Sequence, residues 1–537
     1  MPRFLHKSEQ NRMNRYARFL AQAGQSELLS RLPFVKSFSE SPILMRTTSP
    51  KLDTAHLTAN EEAELRCRTA LELKDRGEYD AARDAMLPLW KGIGSRPNTK
   101  GLSDTAVAEV LLTTGILTGW LGSRSEIKKA DDYARDLITE SITLYETLHD
   151  SRKVAEARTE LAYCYWRAGD NDSARILCNE ALKRLTIGGN ARANALICLS
   201  FVEWAESRHK EVLSLLTENA PVFERITNHT FKGAYHNQLG ITFRAIASAS
   251  KGRTNYFQRA IQEYRVADEQ FKLAKNVVFR ALVKNNIAYV LRELGRFGEA
   301  HAYLEQARRL FVRVGDKVRT AQVDDSRAQL FIAEKKYSQA EPIARSAART
   351  FERAGRQCFL AEALVDQGIA LARMREPARA QFIFQEAIEI AHNAGSLNRA
   401  GFAALTMIEE IDTLSRELQS VAFEQAQEWL SSTDSPDIKR RLKAARGKIA
   451  ARRQRKSQPV DARNVLFNKR HDLQDEVLKF ERGLIGETLT KVDGKLTHAA
   501  KLLGVDYRYL SYVIETRHSD LLKKRTPVRR RPRKTRT

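Results

Sequence analysis

The chain has 537 residues, of which 42% are hydrophobic and 29% charged, with 13 prolines. This length predicts several domains or one long repeat array, and the composition is ordinary for a soluble chain. No run of about 18 apolar residues is present, which argues against a membrane span. The amino terminus also lacks the apolar stretch of a signal peptide. We therefore expect a cytoplasmic protein without a membrane partner.

The residues that could carry catalysis or bind a metal do not form a recognisable site. The five cysteines are scattered and show no metal-ligand spacing, which predicts reduced core thiols; they are Cys67, Cys164, Cys178, Cys198 and Cys358. The sequence has no phosphate-binding loop, zinc-protease helix, nucleophile elbow or kinase signature. We expect no enzymatic activity, no metal and no cofactor.

The net charge of +24 is unevenly distributed along the chain. Residues 437–537 contain 29 Lys and Arg against 11 Asp and Glu, a net +18, whereas residues 1–57 carry +5 and residues 58–436 only +1. This asymmetry predicts that the carboxyl-terminal end meets a polyanion while the neutral middle has another task. Residues 1–57 mix Arg, Ser, Gln and Pro, so we predict a mostly disordered segment, with a short helix around residues 12–20.

A repeat appears from about residue 58. Alanines recur every 40 residues, a second alanine follows each by seven, and a turn sequence precedes each one; the leading alanines are Ala260, Ala300, Ala340 and Ala380. The same frame fits Ala82, Ala134 and Ala174, more weakly the region of Val212, and ends with a helix pair at Gly401–Leu430. Small residues let helices cross closely, so the pattern predicts stacked helical hairpins. A non-repeating α-helical domain is the alternative.

These positions resemble the tetratricopeptide repeat, in which a small residue, a Gly-x-Tyr turn and paired alanines recur. The resemblance implies an all-α fold, with a solenoid over residues 58–431 whose helices are longer than in the usual 34-residue repeat. It also implies that the array binds a protein or peptide, or mediates self-association, through its first helices. The candidate partner-binding residues are Tyr163, Trp166, Asn285, Tyr289, Arg292, Gln329 and Ile369.

Helix-breaking residues at 431–436 end the array. We assign residues 432–470 to a basic helix, over 437–453, and a linker. Beyond them, two helical patterns flank Gly504, and a third precedes them with apolar Val477, Phe480, Leu484, Ile485 and Leu489. A short glycine-containing turn between two such helices is typical of a helix-turn-helix, which we predict at residues 471–518.

This segment resembles the Fis-type helix-turn-helix domain of bacterial transcription regulators. The resemblance lies in Gly494, Thr497, Ala499, Ala500, Gly504, Val505 and Leu510. It implies a recognition helix at Tyr507–Thr516, with Asp506 as its cap and Thr497 on a phosphate. The residues implied to contact DNA are Lys495, Thr497, Asp506, Tyr507, Arg508, Tyr509, Ser511, Tyr512 and Arg517. Tyrosines occupy positions that are basic or small and polar in Fis, so the base sequence does not follow by analogy.

Residues 519–537 form a basic tail with nine Lys or Arg and, from residue 521 on, no acidic residue. We predict a disordered segment whose cations neutralise phosphates; they include Lys523, Lys524, Arg525, Arg529, Arg530 and Arg531. The sequence thus favours a DNA-binding regulator, expected to dimerise on a palindrome. Two alternatives stay open: an adaptor whose basic end binds nucleic acid nonspecifically or acidic partners, and terminal helices that cap the solenoid or dimerise with their tyrosines in a core.

Overall fold

The structure is a computed structural model that describes residues 52–455, apart from 126, 128, 250–252, 432 and 434, and residues 473–524. The chain divides into two compact units, Met1–Ala450 and Ala451–Thr537. Three expectations fall wholly or largely outside the described residues. These are the amino-terminal segment with its helix at 12–20, the linker beyond residue 455, and the tail from Arg525 onward.

The first unit is a succession of helical hairpins, each with a first and a second helix. Its amino-terminal hairpins are α1 (Ala59–Asp75) with α2 (Tyr79–Ala85), α3 (Asp104–Ser125) with α4 (Ala130–Thr147), α5 (Ser151–Ala168) with α6 (Asn171–Arg184), and α7 (Asn190–Ala205) with α8 (His209–Glu218), followed by the short α9 (Ala220–Arg225). The later ones are α10 (His229–Ala249) with α11 (Arg253–Leu273), α12 (Val277–Glu293) with α13 (Phe297–Arg313), α14 (Lys317–Ala333) with α15 (Tyr337–Arg353), α16 (Gln357–Arg373) with α17 (Pro377–Asn393), and α18 (Leu397–Glu410) with α19 (Arg416–Trp429). A final helix, α20, spans Pro436–Arg455.

The predicted 40-residue repeat is confirmed by the regular hairpins from α12 to α17. Each of these helices has 17 residues. Connections of three residues join them, so one hairpin and its two connections occupy 40 residues. The leading alanines Ala260, Ala300, Ala340 and Ala380 are all fully buried. They lie where a second helix crosses its neighbours, as close helix packing requires.

The turns between these helices share one backbone conformation. A residue with positive φ recurs every 20 residues; these residues are Lys275, Gly295, Gly315, Lys335, Gly355, Arg375 and Gly395. In the turn after α13, the Gly315 amide donates to the Val312 carbonyl and the Asp316 amide to the Phe311 carbonyl. This is the Schellman pattern that satisfies the last carbonyls of a helix. Glycine adopts this conformation without strain, whereas Lys and Arg do not.

The size of the residues that face each other differs from one hairpin to the next. A Cβ placed on Gly368 would lie 2.9 Å from the ring of Phe384, which is fully buried. In the preceding hairpin, alanine stands at the equivalent position, Ala328, where the opposing residue is the much smaller Ala344. Glycine at position 368 therefore leaves the space that the Phe384 ring occupies.

The first hairpin also contacts repeats that are far away in sequence. The Asp75 carbonyl accepts hydrogen bonds from Thr230 Oγ1 at 3.0 Å and from Asn276 Nδ2 at 2.8 Å. The Asp75 carboxylate accepts a third from Asn228 Nδ2 at 3.1 Å. These bonds, which we call the clasp, join the end of α1 to the beginnings of α10 and α12. No sequence signal predicted them.

The basic helix expected at 437–453 is α20, and it packs against the end of the array. Arg441 forms two hydrogen bonds with the Glu409 carboxylate, at 2.9 and 2.6 Å. Lys448 donates to the carbonyls of Ile408 and Glu409, in the last turn of α18, and pairs with Asp412 at 2.6 Å. Cations that complete the end of a helix are stabilising. Part of the basic charge therefore serves the array itself.

Among the described residues, one stretch, Asp104–Ser123 in α3, is long and apolar enough to cross a membrane by length and composition alone. Within the protein, 78% of its most apolar window is buried. Leu111 and Leu117 of this helix are fully buried in the array. A buried core helix of a folded array passes the same test of length and composition.

Candidate nucleic-acid interface and ligand groove

The second unit contains three helices and a final short one: α21 (Leu473–Lys491), α22 (Leu496–Leu503), α23 (Tyr507–Arg517) and the 3-10 helix η1 (Ser519–Lys524). Their apolar residues form one small core, made of Ile485, Leu489, Leu496, Ala499, Ala500, Leu510, Val513, Ile514 and Leu521. Most of these were expected from the sequence pattern. Phe480 and Leu484 were expected in the same core, but they are 74% and 47% exposed. The buried side of α21 instead runs through Ile485 and Leu489, so the other two face outward.

The connection between α22 and α23 depends on Gly504. This residue ends α22 with φ of 69°, a left-handed conformation that suits glycine. The next amide, of Val505, donates to the Ala500 carbonyl at 3.0 Å. Asp506 then caps α23, because its carboxylate accepts the Arg508 amide at 2.7 Å. The turn and the cap therefore fix the direction in which α23 leaves α22.

The outer face of α23 carries three tyrosines. Tyr507, Tyr509 and Tyr512 are 39%, 51% and 59% exposed, so their rings do not form the core of this unit. The alternative in which the terminal helices cap the array or dimerise, with these tyrosines in the resulting core, stays a prediction. Of the other residues implied to contact DNA, Ser511 is half-buried and donates to Glu515 at 2.9 Å, whereas the rest are exposed: Lys495, Thr497, Asp506, Arg508 and Arg517.

Polar contacts tie the two ends of this unit together, and sequence reasoning did not find them. The buried His518 ring bonds with the Glu481 carboxylate at 2.9 Å. Arg482 donates twice to Asp520, at 2.9 and 2.6 Å, and this hydrogen bonding lowers the pKa of that carboxyl. These pairs join α21 to the segment after α23. Of the predicted tail contacts, Lys523 lies in η1 and is exposed, whereas Arg525, Arg529, Arg530 and Arg531 lie outside the described residues.

Aromatic side chains line the first helices of the amino-terminal hairpins. The ring of Trp120 in α3 lies 6.0 Å from that of Tyr163 in α5, and Tyr163 lies 6.2 Å from Phe201 in α7. Trp166 lies 5.3 Å from Phe201. Tyr163 was predicted to contact a partner, but it is only 4% exposed and donates to Asn194 at 3.1 Å. It is a packing residue, whereas Trp166 is half-buried.

A polar row crosses the first helices of the later hairpins, and it contains most of the other predicted partner-binding residues. The guanidinium groups of Arg244 and Arg292 lie 4.8 and 4.6 Å from the centre of the Tyr289 ring. Arg292 donates to Gln329 Oε1 at 2.6 Å, and Gln329 Nε2 donates to Asp366 at 2.9 Å. The row therefore runs through α10, α12, α14 and α16. Ile369, also half-buried, lies on α16.

Two buried carboxyl groups occupy one end of this row. Asp325 and Asp366 are 8% and 9% exposed, and each influences the ionisation of the other. Burial raises the pKa of Asp325 well above its ordinary value, and the charges of Asp366 and Glu362 raise it further. Burial also raises the pKa of Asp366, to about 7. Neither aspartate was among the residues predicted to bind a partner.

The cysteines are free thiols in the structure. Four of them are buried and Cys358 is half-buried. Burial raises the pKa of Cys67 and of Cys164 to about 12, so neither forms a thiolate readily. In the part of the chain that the structure describes, no group of three or more His, Cys, Asp or Glu side chains could hold a metal ion.

The comparisons with known proteins agree with the hairpin array. Residues 279–353 match the tetratricopeptide repeat family, so the protein contains tetratricopeptide repeats. No curated protein sequence matches the chain.

Several solved structures resemble the array at low identity. One is a signal-transduction ATPase with a tetratricopeptide repeat sensor from Pyrococcus horikoshii, 13% identical, with a TM-score of 0.47; the match covers 69% of this chain and 55% of that one. Another is the apo quorum sensor NprR from B. thuringiensis, 12% identical over 62% of this chain and 98% of that one, with a TM-score of 0.41. A third is aspartyl phosphate phosphatase F from Bacillus subtilis, 10% identical over 77% and 98%, with a TM-score of 0.42.

Proposed function

We propose that the protein is a sequence-specific DNA-binding transcription regulator without enzymatic activity, acting in the cytoplasm. In this proposal the second unit is a Fis-type helix-turn-helix that places α23 in the major groove. The array of tetratricopeptide repeats binds a protein or peptide signal or mediates self-association. A homodimer would present two copies of α23 to a palindromic site.

The observation that carries the DNA-binding part is the exposed face of α23. Tyr507, Tyr509 and Tyr512 point outward from a packed core. Three exposed aromatic rings on an eleven-residue helix form an apolar surface of the kind that marks an interaction site. Tyrosine hydroxyls can donate to base edges, and the rings can contact the thymine methyl group. The nearby cations Arg508 and Lys495 are exposed and suited to phosphates.

A second candidate function is an adaptor that assembles proteins and touches nucleic acid only nonspecifically. One observation favours it: Arg441 and Lys448 of α20 are engaged by acidic residues of the array. Fewer cations are then available to a polyanion than the net charge suggests. Under this alternative, binding to DNA depends steeply on salt and shows no preference for sequence.

Selection from random DNA by the full chain, in about 0.15 M salt, tests the proposal because salt suppresses nonspecific phosphate binding. We expect one enriched motif. The variant Tyr512→Ala should weaken binding to it by about 1–3 kcal/mol, the range for a lost base contact. Phe480→Ala is the matched control, since that ring is also exposed but lies on α21.

Two results would contradict this function. One is the absence of an enriched motif, which would favour the adaptor. The other is undiminished specific binding by a chain that ends at residue 470, because that chain lacks α21, α22 and α23.

A further inference from the structure

Two oxygen atoms in the polar row lack any hydrogen-bond donor in the structure. They are Oδ1 of Asn285 in α12 and Oδ1 of Asp325 in α14, both buried. The two residues are 40 apart and occupy the same register in neighbouring first helices. Buried oxygens without a donor are rare in folded proteins, and each one calls for an explanation.

The carboxyl groups of Asp325 and Asp366 also lack an ion-pair partner within 4.0 Å among the described residues. The nearby Arg292 donates instead to Gln329 at 2.6 Å and to Glu293 at 3.3 Å. Glu362, the next carboxylate, is neutralised by Arg399 at 2.6 Å. Burial without a paired cation therefore favours the protonated form of these carboxyl groups.

We propose that Asn285, Asp325 and Asp366 form a binding site for a basic peptide, with the aspartates receiving a lysine or arginine side chain. This proposal rests on the peptide-binding role of the array and names the chemistry of its ligand. An ammonium brings three N–H donors and a guanidinium five. Either would supply Asp325 Oδ1 with its missing donor, and a peptide N–H would supply Asn285.

The rest of the molecule makes such a site selective. Residues 58–436 carry a net charge of only +1, so the array offers a basic peptide no long-range attraction. Binding must then come from local carboxylates in a poorly solvated place, where charge-assisted hydrogen bonds are strongest. An incoming cation favours the ionised carboxylates over their protonated forms. The affinity should therefore rise with pH until the proton is already lost in the free protein.

The test is selection of a random peptide display library on the immobilised full chain, with two variants beside the wild type. Asp325→Asn removes the charge of the site. Asp324→Asn removes the same charge one residue away, where the carboxylate pairs with Arg308 and Arg327 at 2.8 and 2.9 Å. Circular dichroism checks that all three chains keep their helices.

We expect the wild type and Asp324→Asn to enrich peptides with a shared Lys or Arg, and Asp325→Asn to lose them. Replacing that residue by glutamine in an enriched peptide should lower its affinity about tenfold or more, as expected for a lost charge-assisted hydrogen bond. The affinity of the unsubstituted peptide should be higher at about pH 8 than at about pH 5.

Enrichment of peptides without a common cation, or equal enrichment by Asp325→Asn, would overturn the inference while leaving the array a peptide binder. A wild type that enriches no peptide at all would refute the peptide-binding role itself, and the inference with it. The two failures are thus distinct.

Discussion

Replacing Asp325 by asparagine should make the array more stable at alkaline pH. In the wild type, burial raises the pKa of Asp366 from 3.8 to about 7, and burial also raises that of Asp325. A carboxyl whose pKa is higher in the folded state stabilises the fold below its unfolded pKa. This stability is lost as the pH rises through the folded pKa. Wild-type stability should therefore fall between about pH 4 and pH 7.

The size of this loss follows from the raised pKa of Asp366. The difference between 3.8 and about 7 corresponds to about 4 kcal/mol, at ~1.4 kcal/mol per pH unit. In Asp325→Asn the new amide can donate to the Asp366 carboxylate, so the pair no longer needs a proton. The variant should unfold at a higher urea concentration than the wild type at about pH 8, with a gain of about 2–4 kcal/mol. At about pH 5 the two should differ little.

Urea denaturation followed by circular dichroism at both pH values measures this difference. Asp324→Asn is the control, because its carboxylate is already paired with two arginines and should show no such gain. Equal stability of wild type and Asp325→Asn at about pH 8 would refute the claim that the buried pair is ionised there at a cost.

Two further predictions concern packing and turns, and thermal unfolding measures both. Gly368→Ala should lower stability by about 1–3 kcal/mol, because the new methyl group meets the Phe384 ring. Gly298→Ala is its control, since nothing lies within 4 Å of that position; a similar loss there would contradict the packing argument. Arg375→Gly should raise stability by up to about 1 kcal/mol, because φ is 65° there. Gly355→Ala should lower the stability. If Arg375→Gly lowered it and Gly355→Ala raised it, residues other than glycine would not be strained in these left-handed turns.

Much of the array could be predicted from the sequence because its determinants are local. The leading alanines, such as Ala260 and Ala300, repeat at the period of the hairpin, and each contacts helices adjacent in sequence. The cap at Asp506 and the turn at Gly504 were predictable for the same reason. The cap depends on the Asp506 side chain and a backbone amide two residues away. The turn depends on a backbone angle that suits glycine.

What the sequence did not reveal depends on distances across the fold. Asp325 and Asp366 are 41 positions apart, and only the stacking of α14 on α16 brings their carboxyl groups together. The outward direction of Phe480 depends on which side of α21 receives α22 and α23, and apolar spacing alone does not decide this. The same holds for Lys448, whose partners are the carbonyls at the end of α18.

The clasp has a consequence for how the chain folds during synthesis. An array whose contacts join only neighbouring hairpins can fold from its amino terminus onward and unfold from its ends, one hairpin at a time. Here the last turn of α1 bonds to Thr230 and Asn276, which lie 155 and 201 residues further along the chain. The first hairpin therefore cannot complete its contacts until Asn276, just before α12, has left the ribosome. Once it has done so, the hairpins between Asp75 and Asn276 are closed into a loop and should melt as one cooperative block.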